Sequence, residues 1–232
     1  MPKVIKKRIA KKITIDTEEG VKEKLTSFRD ILREKQKTAI TYAAAFLIIV
    51  SAVAGFFIYS YNSKQKAQGL EIEAYKTFYS NTPQAANKVD KYSKALDLFK
   101  KAFAAKRSPS SLFYIAGCYF ELGNYDETIK TLKDFVGRYS GDEAYAPLAY
   151  QKLAEAYIMK GDLPEAKKTL NTLLSLKGDV YKDFALMEGA KILEKEGKPE
   201  EAKQKYEELA KKYPQSPFYE DAKAKSVVKK EG

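Results

Sequence analysis

A run of 26 consecutive residues without a charged side chain, Thr38–Ser63, constrains this 232-residue chain more than any other feature. A helix rises about 1.5 Å per residue and needs roughly 20 apolar residues to cross the hydrocarbon core of a bilayer. Tyr42 at one end of the run, and Tyr59 and Tyr61 at the other, are typical of the interfaces of a membrane. The run therefore predicts a single transmembrane helix over residues 38–61.

A buried core helix and a cleaved signal peptide are the two other interpretations of this run. A buried core helix rarely stays uncharged for more than about 14 residues. A cleaved signal peptide has a shorter polar start than residues 1–37, and the apolar run continues through Phe56, Phe57 and Ile58, beyond the small-residue triplet at Ala52 to Ala54. Both flanks favour an uncleaved signal anchor.

Basic residues near the span predict its orientation. They are more numerous on the N-terminal side, at Lys22, Lys24, Arg29, Arg33, Lys35 and Lys37, than on the other side, at Lys64, Lys66 and Lys76. The positive-inside rule therefore predicts a cytoplasmic N-terminus and an extracytoplasmic C-terminal part. For a bacterial protein this means a single-pass protein of the inner membrane with a periplasmic domain, where Cys118 alone forms no internal disulfide.

The N-terminal tail, residues 1–37, carries 12 basic and 6 acidic residues, and residues 62–232 carry 30 and 25. Its second half predicts an amphipathic helix, because Val21, Leu25, Phe28 and Leu32 recur at helical spacing. Two interpretations stay open: the helix lies on the anionic inner leaflet, or its charges only enforce topology. Contact with RNA is a third and lesser option, since no RNA-binding motif accompanies the charge.

Composition excludes several chemistries. The chain has no His and one Cys, so it holds neither a Ser-His-Asp or Cys-His nucleophile pair nor a Cys/His zinc site. We expect no enzyme activity, no catalytic residue, no metal site and no cofactor.

Three segments after the span repeat one pattern when they are aligned on Gly123, Gly161 and Gly197. Small residues recur before each glycine, at Ala116, Ala154 and Ala190, and after it, at Thr128, Ala166 and Ala202. Larger apolar residues recur between them, such as Leu112, Tyr119 and Leu132 in the first segment, Leu153, Tyr157 and Leu170 in the second, and Leu186, Leu193 and Leu209 in the third.

These residue types and offsets resemble the tetratricopeptide repeat (TPR), a pair of antiparallel helices A and B that stacks into an α-solenoid. The resemblance implies an all-α fold with three clear repeats over residues 108–214. A degenerate first repeat is expected within 62–107, with Leu70 to Tyr79 as helix A, a loop from Asn81 to Lys88, and Tyr92, Ala95, Phe99 and Ala102 on helix B. Residues 215–232 are expected to contain a polar capping helix, Ser216 to Lys230, because a terminal repeat otherwise exposes its stacking face.

In TPR arrays helix A lines the concave surface, which binds partners. The residues predicted to face it are Phe113, Gly117 and Phe120 in the first repeat, Leu148, Gln151, Glu155 and Ile158 in the second, and Phe184, Met187, Lys191 and Glu194 in the third. The set lacks the Lys and Asn pattern that grips a C-terminal carboxylate. It predicts an unusually apolar groove for an apolar or amphipathic segment of a partner, with Met187 and Met159 as adaptable contacts.

The alternative is that the groove is filled from within, by the helix Leu70 to Tyr79 or by a second subunit. The sequence does not decide between an open and a filled groove.

The whole plan resembles the bacterial YfgM-like family of ancillary subunits of the SecYEG translocon. The residues that carry this resemblance are the stretch Val21, Leu25 and Phe28 before the span and repeat segments such as AEAYIMKGDLPEAKKTL and AKILEKEGKPEEAKQKY. It implies protein partners in the translocon, a periplasmic chaperone or secreted clients. The alternatives are a scaffold of another envelope complex, for cell division, outer-membrane assembly or polysaccharide export, and a homo-oligomeric organiser.

Overall fold

The computed structural model describes residues 18–80 and 88–227, and within those ranges it contains helices and no strand, as predicted. By internal contacts the chain divides into two units, Met1–Ser60 and Tyr61–Gly232. The polybasic start of the tail, most of the predicted loop Asn81 to Lys88, and the end of the predicted capping helix lie outside the described residues. The helices are α1 (Glu18–Phe78), α2 (Lys88–Ala105), α3 (Pro109–Glu121), α4 (Tyr125–Tyr139), α5 (Ala146–Lys160), α6 (Leu163–Ser175), α7 (Lys182–Lys195), α8 (Pro199–Lys212) and α9 (Tyr219–Val227).

The predicted membrane span lies inside α1. Among the described helices, α1 is long and apolar enough to cross a membrane by length and composition: its most apolar 18-residue window has a mean hydropathy of 2.2, and 0% of that window is buried. The ends predicted for the span are not helix ends, because α1 begins at Glu18 and ends at Phe78. The linker predicted from residue 62 is helical, since Lys, Gln and Ala in NSKQKAQ are strong helix formers.

The three predicted repeats are present as the helix pairs α3–α4, α5–α6 and α7–α8, and successive helices pack against one another along the chain. Gly123, Gly161 and Gly197 follow the three A helices in the left-handed region, with φ of 76°, 78° and 73°. After each glycine, the next backbone N–H donates to the carbonyl five residues earlier, in each case over 2.9 Å. This bond closes a Schellman turn, so one backbone motif ends all three A helices.

Small side chains lie where the two helices of each repeat cross. Ala116, Ala154, Thr128 and Ala166 are fully buried, and Ala190 and Ala202 show at most 1% exposure. Large apolar residues of the B helices fill the space beside these crossings: Phe135, Leu173 and Leu209 are all 0% exposed. The small residues let the helix backbones approach closely, and the large ones bury the faces that no single helix can bury alone.

The last turns of α1 and the helix α2 form the first layer of the array. Helix B of the degenerate repeat is present as α2, with Ala95, Phe99 and Ala102 at 0% exposure. Its partner, predicted as a separate helix from Leu70, is instead the end of α1. There Phe78 packs edge-on against Phe99 and Tyr114, with ring centroids 6.4 and 5.4 Å apart. The layer therefore joins the apolar core through α3.

One carboxylate connects this layer to the start of α3. The hydroxyl groups of Ser108, Ser110 and Ser111 all donate to Oε1 of Glu71, the first two over 2.7 and 2.9 Å. Ser108 also caps α3 by accepting from the backbone N–H of Ser111. Glu71 thus places a negative charge at the positive end of a helix dipole, where anions are stabilised.

The helix α9 covers the open end of the array, as expected of a capping helix. Ala222 is fully buried there, and Phe218 packs against the cluster of Leu186, Tyr206 and neighbouring residues. Lys225 on α9 donates to both carboxylate oxygens of Glu194 on α7 and to the hydroxyl of Tyr206 on α8. The cap is therefore held by apolar contact and by a charged bond to two helices.

Replacing the glycine of the second repeat by alanine, Gly161→Ala, should lower the free energy of unfolding by about 1 kcal/mol, because a residue with a Cβ is strained at positive φ. No atom lies within 4 Å of a Cβ built at this position, so the loss is conformational and not steric. Gly161→Asn should cost less, since Asn tolerates this region. Urea denaturation followed by circular dichroism measures both; equal stability of Gly161→Ala and wild type would contradict the role of the turn.

Removing the carboxylate of Glu71, in Glu71→Ala, should destabilise the array by about 1 to 3 kcal/mol, because the fully buried hydroxyl of Ser111 then loses its acceptor. The matched control is Glu73→Ala, an exposed carboxylate two residues along the same helix. Hydrogen exchange should speed up in residues 61–78 and in the first turn of α3 for the Glu71 variant alone. Equal exchange in both variants would show that the serine contacts contribute nothing.

Candidate partner-binding face

The candidate site is the row of side chains on α3, α5 and α7, called here the A-helix face. The structure places most of the predicted residues at half-buried positions: Phe113, Phe120, Leu148, Gln151, Glu155, Ile158, Phe184 and Lys191. Glu194 is exposed. Two others, Gly117 and Met187, do not lie at the surface. Most of the predicted residues are therefore at least partly exposed, and two are buried.

Met187 is 2% exposed and belongs to the buried cluster around Leu186, Ala190 and Tyr206. Its prediction as a groove contact is therefore wrong. Whether a residue one turn away from exposed positions is itself exposed depends on the angle at which the neighbouring helix crosses. A single sequence does not give this crossing angle. Met159, the second predicted adaptable contact, is 56% exposed.

Gly117 is also buried, because a side chain from the first layer covers it. Phe78 of α1 lies over it, and a Cβ added at Gly117 would contact the Phe78 ring at 3.8 Å. This contact, from a residue of the segment Leu70 to Tyr79, favours the interpretation that the segment fills the N-terminal end of the face.

Aromatic residues at this end belong to the interior more than to the surface. Phe113 packs edge-on against Phe135 and Tyr114, with ring centroids 6.5 and 5.4 Å apart, and lies 5.7 Å from the Tyr145 ring. Phe184 likewise packs against the core cluster that contains Phe135 and Leu173. Both are half-buried, so their contribution to a binding surface is smaller than the sequence predicted.

Charged side chains surround the central residue Phe120. The ammonium of Lys152 lies 4.4 Å from the centroid of the Phe120 ring, a cation–π contact between α5 and α3. The same ammonium donates to Glu155 over 2.6 Å, and Gln151 donates to the other oxygen of Glu155, also over 2.6 Å. These four residues form one connected group, called here the Phe120 group.

A shallow depression follows toward the C-terminal end, where α5, α7 and α9 meet. It is lined by Ile158, Glu188, Lys191, Ile192, Glu194, Lys195 and Lys225. Glu188 and Lys191 form an ion pair at 2.7 Å on the rim. The bond from Lys225 to the Glu194 carboxylate, with a further contribution from the Tyr206 hydroxyl, raises the pKa of the Lys225 ammonium above its usual value. Lys225 therefore stays charged through the physiological range.

The predicted apolar groove is thus an alternation of apolar centres and ion pairs. Each ion pair joins a residue that the sequence placed on the face, Glu155, Lys191 or Glu194, to one that sequence reasoning missed: Lys152, Glu188 or Lys225. The spacing of Lys152 to Glu155 and of Glu188 to Lys191 was a possible signal, since residues three apart on a helix are neighbours. Lys225 gave no such signal, because its partner Glu194 lies 31 residues away.

Nothing in the described ranges assembles a metal site: no three or more Cys, Asp or Glu side chains there are placed to hold an ion. The single thiol, Cys118, is 0% exposed, and burial raises its pKa to about 12. A thiol in that state is neither a nucleophile nor a ligand.

Solved structures show arrays of the same kind. The TPR-like repeats of a Podosopora anserina protein described as a kinesin light chain superpose with a TM-score of 0.52 at 15% identity, covering 68% of this chain and 82% of that one. YrrB, a TPR protein with an unusual peptide-binding site, gives 0.48 at 17% identity over 58% of this chain and 67% of its own. MamA gives 0.48 at 15% identity over 72% and 84%. At such identities the likeness concerns the fold and not the function.

No curated protein matches the sequence. The model of one family, the tetratricopeptide repeat-like domain, matches residues 35–226. This match covers most of the chain and includes every repeat described above, so the protein belongs to the tetratricopeptide repeat-like domain family.

Proposed function

We propose that this protein is a membrane-anchored adaptor, whose array binds protein partners on the extracytoplasmic face of a bacterial inner membrane. The observation that carries the proposal is the apolar window of α1, which is long enough to span a bilayer and of which 0% is buried. A core helix of a soluble protein would hide such a window. The denser cations before the span favour a cytoplasmic N-terminus.

The partner is a polypeptide with apolar and charged residues in alternation. Phe120 and Ile158 offer apolar contact, and each stands beside Lys and Glu side chains held in ion pairs. Such a surface suits an amphipathic segment better than a purely apolar one, because an apolar ligand would take the ion pairs out of water and offer them no new hydrogen bond. TPR arrays are protein-interaction scaffolds, and this chemistry is compatible with that use.

The resemblance to ancillary subunits of the SecYEG translocon supports a place beside the secretion machinery. The partners there are translocon subunits, a periplasmic chaperone or secreted proteins as they emerge. A scaffold of another envelope complex and a homo-oligomeric organiser are the alternatives, and both use the same A-helix face. The identity of the partner therefore separates the three.

Photo-crosslinking in cells from a residue analogue at Ile158 should trap translocon subunits, a periplasmic chaperone or many secreted proteins, because Ile158 lines the depression on the A-helix face. The matched control carries the analogue at Lys211, an exposed position in the last turn of α8. Mass spectrometry of the adducts identifies them.

Adducts confined to one division or export complex would replace the secretion proposal by the first alternative. Adducts only to the protein itself would mean that the face joins copies of the chain. The same adducts from Ile158 and Lys211 would show that the face has no special role.

Reversing one charge at the rim of the depression, in Lys195→Glu, should weaken partner capture about fivefold or more, since like charges across an interface cost on the order of 1 kcal/mol or above. Lys195 is exposed in the last turn of α7, so the fold should tolerate the change. Lys211→Glu is the control in the same helix-end position of α8. Substitution of Phe120 or Ile158 by Asp is a poorer test, because both are half-buried against the core and the variants lose stability as well.

Topology is measurable by thiol labelling because Cys118 is buried and its raised pKa keeps it protonated. In cells with a permeabilised outer membrane, an impermeant maleimide should label Gln204→Cys on α8, and should label Ser27→Cys on α1 only after the inner membrane is broken. Wild type gives the background. The reverse pattern would overturn the proposed orientation, and equal labelling of both would overturn the anchor.

A further inference from the structure

The part of α1 before the span presents an unpartnered apolar stripe. Val21, Leu25, Phe28 and Leu32 are 45%, 62%, 62% and 52% exposed. At 3.6 residues per turn they fall within an arc of about 60° on the helix. These four residues, called here the stripe, form a narrow band along one side of the segment 20–37.

Most charges around this helix are sorted by sign. Five of the six cations in the segment border the stripe on its two sides: Lys24 and Lys35 on one, and Lys22, Arg29 and Arg33 on the other. The sixth, Lys37 next to the span, falls on the side of the carboxylates. The three carboxylates, Glu23, Asp30 and Glu34, fall within an arc of about 40° on the opposite side of the helix. A helix that only supplied positive charge for topology would need no such order.

This order fits the surface of an anionic bilayer. Apolar side chains enter the boundary between headgroups and acyl chains, and Lys and Arg beside them extend their charged ends to the lipid phosphates. The carboxylates then face water, away from the phosphates. We propose that residues 20–37 bind the anionic cytoplasmic leaflet through the stripe and its bordering cations.

Pairing of two copies through the stripe is disfavoured by the same charges. In a parallel pair of helices with the stripe as its seam, Lys24 and Arg29 occupy the flanking positions that face each other across the interface. Like charges at those positions repel. The sign of the border therefore selects an anionic surface over a second copy.

Two threonines lie at the junction between this segment and the span. The hydroxyl of Thr38 donates to the carbonyl of Glu34 over 3.0 Å, and that of Thr41 donates to the carbonyl of Lys37 over 2.9 Å. Threonines that bond back to the preceding turn often bend a helix. A bend here lets the stripe reach the leaflet while residues 38–61 cross the bilayer.

This inference rests on the proposed anchor and goes beyond the adaptor function, since it assigns a lipid ligand to a part of the chain that the array does not use. The test uses the full chain with Cys118→Ala in nanodiscs, one set of phosphatidylcholine alone and one with added phosphatidylglycerol. An environment-sensitive nitrobenzoxadiazole label is placed at Leu25→Cys in the stripe or at Glu23→Cys on the opposite side. A third label, at Ile49→Cys, reports on the span separately.

With phosphatidylglycerol, the label at position 25 should shift to the emission of an apolar environment and be quenched by nitroxide lipids, and the label at 23 should remain water-like. In phosphatidylcholine alone the shift at 25 should be much smaller. Arg29→Gln and Lys35→Gln should each lower the ratio of surface-bound to unbound segment about fivefold, since each cation near the surface contributes on the order of 1 kcal/mol. Asp30→Asn, the control on the opposite side, should not lower it.

Water-like emission at both 25 and 23, with position 49 buried, would overturn the surface proposal and leave the anchor intact. Water-like emission at 49 would overturn the anchor itself. Equal emission shifts at position 25 in both lipid compositions would show that binding does not need anionic lipid. Disulfides between copies at position 25 in native membranes would show that the stripe binds a second copy of the chain and not the bilayer.

Discussion

Close approach of helices that cannot bury their own apolar faces is the constraint on which the array depends. In each A–B pair the recurring small residues are Ala or Thr with at most 1% exposure, and residues of this size allow helix backbones to approach closely. Phe135, Leu173 and Leu209 then fill the spaces to the sides. A larger residue at a crossing would separate the helices and open those spaces, and for this reason the small positions repeat so regularly in the sequence.

Much of this was predictable because it is periodic. The three glycines end their helices in one backbone geometry, and a residue type tied to one region of φ is readable from sequence alone. The bounds of α1 were not predictable in the same way. Its polar stretch after the apolar run has no helix breaker until Gly69, and a single glycine does not stop a helix whose neighbours favour it.

The chemistry of the A-helix face was predicted less well than its location. Met187 and Gly117 occupy positions that point outward in an average repeat, but here Tyr206 and its neighbours enclose the first and Phe78 covers the second. Both effects come from helices distant in sequence. Local pairs such as Lys152 and Glu155 could be predicted from the sequence, whereas the bond from Lys225 to Glu194 depends on the position of α9. Contacts between residues on different helices decide which side chains are exposed on the face, and sequence periodicity does not predict these contacts.

The first layer of the array has a consequence for where the folded array begins. Phe78 and Tyr75 pack against Phe99 and Tyr114, and Glu71 accepts hydrogen bonds at the start of α3. The last turns of α1 therefore belong to the compact unit that begins at Tyr61. A protease or a truncation that removed the chain as far as Lys88 would take away the α1 part of that layer, leave α2 in place, and expose Phe99, Ile115 and Cys118. The released fragment would expose an apolar surface that promotes aggregation and a thiol that can be oxidised. A fragment of the array that stays soluble therefore has to keep residues 61–78.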